Sequence, residues 1–139
     1  VTDMFGDEDV PDGELIGSGL LPAGVEIYEI DGPFFFGAAE KFKETLSAMS
    51  RPPLALVLRM RRVGLLDATA LSLIRELVRK GRAGGPTIIL SELPAEPQRT
   101  LVAAGLFAEA GPENIVADID AAIDRATAVL AEKKGSRQA

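Results

Sequence analysis

The sequence has 139 residues, 47% of them hydrophobic, which is enough for one compact domain with flexible ends. It contains no cysteine and no histidine. Disulfides, metal sites built on thiolate or imidazole, cysteine nucleophiles and Ser-His-Asp triads are therefore excluded. We expect a domain without enzyme activity, without a cofactor and without a bound metal.

The formal net charge of −6 is unevenly distributed along the chain. Residues 1–31 carry nine acids and no base, and the remainder has a charge of +3. Because residues 1–21 also lack apolar periodicity, we expect them to be an acidic flexible linker, followed by a domain over 22–134 and a disordered polar tail over 135–139. A weakly basic remainder gives little reason to expect nucleic acid as a partner, because that would need a clustered basic face and usually stacking aromatic residues.

The first half of the domain predicts two strands and a helix. Residues 24–30 alternate apolar and acidic side chains, which predicts a strand. After an Asp-Gly-Pro turn, the three aromatic residues at 34–36 predict a second short strand, antiparallel to the first. Apolar residues at spacings of three and four predict a helix over 38–49, which the two prolines at 52 and 53 end.

The second half alternates strands and helices. Residues 54–60 and 86–90 are nearly continuous apolar runs, as in strands buried on both faces, and a helical apolar face begins after Asp67 and ends near Gly81. A short helix at 96–104, an edge strand at 115–116 and a final helix over 117–134 complete the pattern. This alternation predicts an α/β domain with a central mixed, largely parallel sheet of about four to five strands and about as many flanking helices.

The junction between the central strand and the following helix holds the most informative motif. Asp67 is placed to cap the helix, a role that is worth about 1 kcal/mol and by itself accounts for an acid there. Thr69 falls in the first helical turn, where free N–H groups and the helix dipole would favour an added phosphate. A threonine that merely tolerates a helix start is the simpler interpretation.

The stretch Asp67-Ala68-Thr69-Ala70 resembles the D-[SA]-[ST]-G signature of STAS domains, with alanine where glycine is usual. These domains occur in anti-sigma-factor antagonists and in the tails of sulfate permease (SulP) transporters. In the antagonists a partner kinase phosphorylates the position that Thr69 occupies, with Asp67 as its acidic neighbour. The opening GVEIYEIDGPFFFGAAEKF resembles that of bacterial SulP members, and so does the LRMRRV run that precedes the signature. The resemblance covers about residues 22–134 and favours the transporter group.

Two further sets of side chains are candidates for contacts. Arg59, Arg61 and Arg62 lie near the start of the helix that carries Thr69 and are candidates for an anion or nucleotide phosphate site, with three solvated arginines as the alternative. Phe34, Phe35 and Phe36 would ordinarily belong to the core. If Phe35 points outward, this aromatic run is a candidate protein interface.

The resemblance implies a function in regulation. It identifies the chain as the cytoplasmic, C-terminal STAS domain of a SulP-type anion transporter of the inner membrane, soluble by itself and attached to a membrane domain outside this chain. Its implied partner is that membrane domain, and a homodimer, a regulatory protein and a nucleotide remain open as further partners. The alternatives are a free-standing anti-sigma-factor antagonist switched at Thr69 and a nucleotide sensor using the three arginines.

Overall fold

The computed structural model describes residues 2–3, 21–49 and 51–138. Its strands are β1 (Thr2–Asp3), β2 (Val25–Asp31), β3 (Ala55–Arg62), β4 (Thr87–Ser91) and β5 (Ile115–Val116). Its helices are α1 (Phe36–Ser47), α2 (Ala68–Arg82), α3 (Ala95–Ala103), α4 (Leu106–Ala110) and α5 (Ile119–Gln138), with a 3-10 turn at Pro112–Asn114. The strands alternate with helices, as the sequence predicts.

The five described strands form one sheet in the order β1-β2-β3-β4-β5. Every described neighbouring pair is parallel, with Val25 opposite Ala55 and Leu56 opposite Ile88. A parallel sheet needs crossovers, and α1, α2 and the α3–α4 pair supply those between β2 and β5. The α/β class with a largely parallel sheet between helices is confirmed.

The predicted second strand at residues 34–36, antiparallel to the first, is wrong. Phe34 makes only an isolated bridge to Leu66, which is parallel, and α1 already begins at Phe36. The reason lies in the sheet, because β2 pairs with β1 along one edge and with β3 along the other. A chain that turned back after Pro33 would find no free edge on β2.

The sheet is covered on both faces, as its continuous apolar strands require. On one face α1, α2, α3 and α4 pack on alternate strand residues, among them Tyr28, Leu58 and Leu90. On the opposite face α5 packs on the intervening residues, among them Ile27, Val57 and Ile89. The helix α5 returns to the edge where strands begin, since the Lys133 ammonium donates to the carbonyls of Leu54 and Gly85.

The ends of the chain differ in part from the expectations. The predicted linker over 1–21 lies mostly outside the described residues, but Thr2–Asp3 pairs with β2 and Leu21 packs against the α5 side of the core. The final helix continues past Lys134 to Gln138. The strong helix formers around Gly135 outweigh the roughly 1 kcal/mol that one glycine costs in a helix.

Candidate functional site

Two loops run side by side at the carboxyl edge, which is the edge of the sheet where the strands end. One follows β2 (residues 32–35) and the other follows β3 (residues 63–67). Three backbone hydrogen bonds join the loops. The N–H of Gly32 donates to the carbonyl oxygen of Arg62 at 3.1 Å. The N–H of Phe34 donates to the carbonyl oxygen of Leu65 at 3.0 Å, and the N–H of Asp67 donates to the carbonyl oxygen of Phe34 at 3.3 Å. These bonds extend the strand pairing beyond the sheet and hold the starts of α1 and α2 together.

The three aromatic residues of the first loop have different surroundings. Phe34 is fully buried and packs edge-on against Phe42, with ring centroids 6.3 Å apart, so it belongs to the core. Phe35 points away from the core and is 42% exposed. The side chain of Phe36 lies outside the described part of the structure. Of the two predicted interface residues whose side chains are described, Phe35 is exposed and Phe34 is not.

Leu65, on the second loop, is 47% exposed and was not predicted from the sequence. Its carbonyl accepts the N–H of Phe34, so it lies beside the residue that precedes Phe35. We call Phe35 and Leu65 together the apolar pair. Exposed large apolar side chains are ordinary when scattered, but two on adjoining loops are a candidate contact surface.

Asp67 and Thr69 lie at the start of α2, as predicted. Asp67 is the N-cap residue, and its carboxylate accepts the backbone N–H of Ala70 at 2.9 Å. Thr69 is the second residue of the helix and is partly exposed. A phosphate on its hydroxyl would sit at the positive end of the α2 dipole, close in sequence to the loop that carries Leu65.

The three predicted arginines face carboxylates. Arg59 forms two bonds with Glu92, Nε to Oε2 at 2.6 Å and Nη2 to Oε1 at 3.2 Å. Arg61 binds Glu29 in the same way, at 2.7 and 3.2 Å. Arg62 lies 3.4 Å from Asp31 and 3.5 Å from Glu29.

This pairing bears on the predicted anion or nucleotide site. The three guanidinium groups and their three carboxylate partners sum to zero formal charge, so an arriving phosphate would compete with carboxylates already bound. Arg59 is also 5% exposed, and its Nη1 is buried without a hydrogen-bond partner among the described residues. Contact of an anion with Arg59, Arg61 and Arg62 stays a prediction that this geometry does not favour.

The acidic partners were missed because their position depends on strand register. Glu29 and Asp31 lie opposite Arg59 and Arg62 across the β2–β3 pair, and Glu92 follows β4 with a left-handed backbone at φ 62°. Opposite charges near the ends of two adjacent strands were the available signal. The pattern of a single segment does not show which residues of two strands face each other.

Neither metal binding nor membrane crossing is indicated by the part of the chain that the structure describes. There, no cluster of three or more acidic residues is placed to hold a metal ion. In the same residues, no helix has the length and apolar character needed to span a bilayer.

Comparison with known families decides the relationship. Residues 22–122 match the family of STAS domains, a range that spans β2 to the first turn of α5. The chain belongs to the STAS domain family. The resemblance to STAS domains noted around Asp67 is thereby confirmed.

Relatives of this STAS domain include transporter proteins. A crystal structure of a sulfate transporter family protein from Wolinella succinogenes is 33% identical, with a TM-score of 0.76, and the match covers 86% of this chain and 98% of that one. The STAS domain of a SulP transporter from Vibrio cholerae is 26% identical, with a TM-score of 0.68, and the match covers 88% of this chain and 96% of that one. The domain is thus homologous to SulP-type STAS domains.

A much longer relative is the candidate sulfate transporter YvdB of Bacillus subtilis (strain 168). It is 25% identical over 91 residues, which are 65% of this chain. The same match covers 17% of YvdB, so this STAS domain corresponds to a small part of that protein.

Proposed function

We propose that this STAS domain is the cytoplasmic, carboxyl-terminal domain of a SulP-type anion transporter and regulates transport or assembly by contacting the membrane domain of the same protein. The observation that carries the proposal is the 33% identity across 98% of the sulfate transporter family structure from Wolinella succinogenes. The role is one of regulation through contacts rather than catalysis.

The apolar pair is the proposed contact surface. Phe35 and Leu65 expose 42% and 47% of their surface on loops that several backbone hydrogen bonds hold in place. Since their backbone bonds are already formed, we expect these loops to change little on docking. Burying the two side chains is then favourable by about 25 cal/mol for each Å² of apolar surface removed from water. Such a surface suits a partner that stays attached, as the membrane domain of the parent protein would.

Anion uptake by the parent protein tests the proposal. We expect Phe35→Asp and Leu65→Asp each to change either uptake per transporter molecule or the amount of assembled transporter, since a charge at the contact opposes burial. Val102→Asp is the matched control, because Val102 is 55% exposed but lies on α3. Uptake and assembly that stay unchanged in both variants, or that change equally in the control, would contradict the proposed contact.

A second candidate is a phosphorylation switch at Thr69, favoured by the partial exposure of this residue in the first turn of α2. On this proposal the domain acts as an anti-sigma-factor antagonist, and a partner kinase modifies the Thr69 hydroxyl. Mass spectrometry after incubation with candidate kinases of the source organism is the test. Phosphate on Thr69, absent from Thr69→Val, is the expected result, whereas modification confined to other residues would exclude the switch.

A further inference from the structure

An apolar groove lies between α1 and α2 at the amino edge, which is the edge of the sheet where the strands begin. Its volume is about 300 Å³, at the lower end of the range for small-molecule sites. The floor is formed by Leu56 and Ile88 of two neighbouring strands, and Leu46 and Leu77 of the two helices line the walls. The groove is thus open on one side and closed by the core on the other.

The lining is aliphatic. Apart from two lysines, a glutamate and Ser47, the side chains are leucine, isoleucine, methionine and proline, with no aromatic ring. Flat ligands that need stacking gain little from such walls, because offset stacking requires a facing ring. A flexible alkyl chain can follow them and bury its methylene groups.

The rim of the groove has an unbalanced charge. Glu76 lies 3.3 Å from the Lys80 ammonium and 3.9 Å from the Lys43 ammonium, so one carboxylate is shared between two cations from different helices. The charged residues lining the groove therefore sum to +1. A second carboxylate at the rim would give each ammonium a partner of its own.

From the aliphatic lining and this charge we propose that the groove binds a free medium-chain aliphatic carboxylate, with its alkyl chain against Leu56 and Ile88. Its carboxylate would pair with one of the two lysines that now share Glu76, and Glu76 would keep the other. The small volume favours a single chain over an amphipathic helix, which needs a longer groove for several anchor residues. This inference does not depend on whether the domain is attached to a transporter.

Calorimetry with a series of carboxylates on the 139-residue chain is the first test. Hexanoate, octanoate and decanoate, each below its micelle concentration, are expected to bind with an affinity that rises about fourfold for each added methylene, since each is worth about 0.8 kcal/mol when buried. Decyltrimethylammonium has the same alkyl chain with the opposite charge. Equal binding of this cation, or no binding of any carboxylate, would overturn the proposal.

The methionines locate the bound molecule. Met49 lines the groove, whereas Met60 is fully buried at the other end of β3. In a sample with labelled methionine methyl groups, decanoate is expected to shift the Met49 signal and to leave that of Met60 in place. A shift of the Met60 signal without one of Met49 would mean that the ligand binds elsewhere. A Met49 shift that depends on protein concentration and not on decanoate concentration would mean that a second copy of the protein occupies the groove.

Two kinds of variant test separately the contacts of the ligand's alkyl chain and those of its carboxylate. Ser47→Phe places a ring at the exposed groove wall and is expected to reduce decanoate binding at least tenfold, whereas the matched Ser72→Phe, on an exposed α2 position outside the groove lining, leaves it unchanged. Lys43→Gln with Lys80→Gln is expected to weaken binding up to about fivefold, as for exposed ion pairs. Equal affinities in Ser47→Phe and Ser72→Phe, with both proteins folded by circular dichroism, would refute the site.

Discussion

Arg59 and Glu92 form a bidentate ion pair, at 2.6 and 3.2 Å, that joins the central strand β3 to the residue after β4. Arg59 is 5% exposed, and Ser91 donates its hydroxyl to the same carboxylate at 3.2 Å. Glu92 has a left-handed backbone, which costs a residue other than glycine roughly 1–2 kcal/mol. The ion pair and the strained residue are therefore parts of one arrangement at the carboxyl edge.

Two substitutions of Glu92 separate the ion pair from the strain. Glu92→Ala leaves Arg59 buried and unpaired, and we expect the free energy of unfolding to fall by about 3 kcal/mol. Glu92→Gly loses the same pair but tolerates the left-handed backbone, so its loss should be smaller by roughly 1 kcal/mol. Urea unfolding measures both values, and an equal loss in the two variants would mean that the backbone of Glu92 carries no strain.

The N-cap of α2 is the second target. Asp67→Ala removes the acceptor of the Ala70 N–H, and we expect a loss of about 1 kcal/mol. Asp67→Asn keeps an acceptor oxygen and should lose much less. A loss as large in Asp67→Asn as in Asp67→Ala, measured by urea unfolding, would show that Asp67 acts through its charge and not through this bond.

Two helical glycines are expected to respond in opposite directions to the same change. A Cβ on Gly81 would lie 2.5 Å from the Pro86 carbonyl oxygen, so Gly81→Ala forces the backbone apart and should destabilise the protein by about 1–3 kcal/mol. Beyond its chain neighbours and the nearby backbone of α1, a Cβ on Gly37 meets no atom of the described structure within 4 Å. Gly37→Ala should raise the free energy of unfolding by about 0.5 kcal/mol, and a loss in this control would contradict the open space at Gly37.

The link between α2 and α4 should depend on pH. A hydrogen bond from Arg79, and a weaker contribution from Arg75, lowers the pKa of Glu109 below its ordinary value of 4.5. A pKa that is lower in the folded state stabilises the protein at pH values above the ordinary pKa. This stabilisation is lost as the pH falls through the folded pKa. Glu109→Gln should thus have a lower melting temperature than the native protein at neutral pH and the same melting temperature in strong acid.

Thermal unfolding of the two proteins across this acidic range is the measurement. Arg99 is exposed on α3, so Arg99→Gln serves as the control. The difference in melting temperature between Arg99→Gln and the native protein should not disappear in acid. A difference between native protein and Glu109→Gln that stays constant down to strong acid would show that Glu109 contributes packing and not charge.

Local patterns predicted most of the elements, and long-range pairing explains the errors. The α2 cap followed from Asp67 and an apolar period, both of which are local. The strand at residues 34–36 was wrong because occupation of both edges of β2 cannot be seen within that segment. The helix α4 was missed because five residues span little more than one helical turn.

The candidate sites also divide into those that a local pattern predicts and those that depend on long-range pairing. Asp67 and Thr69 were found because a motif of three residues places them at a helix start. The carboxylate partners of the arginines depend on the register between β2 and β3, and the groove depends on how far α1 lies from α2. Neither quantity is set by the residues of one segment.

The reading frame upstream of the codon for Val1 tests the central proposal most directly. If this STAS domain is the tail of a transporter, the frame continues upstream through several apolar segments of about 20 residues, each long enough to span a bilayer. A start codon within a few residues of Val1 would contradict the transporter and leave the switch at Thr69 as the function to test.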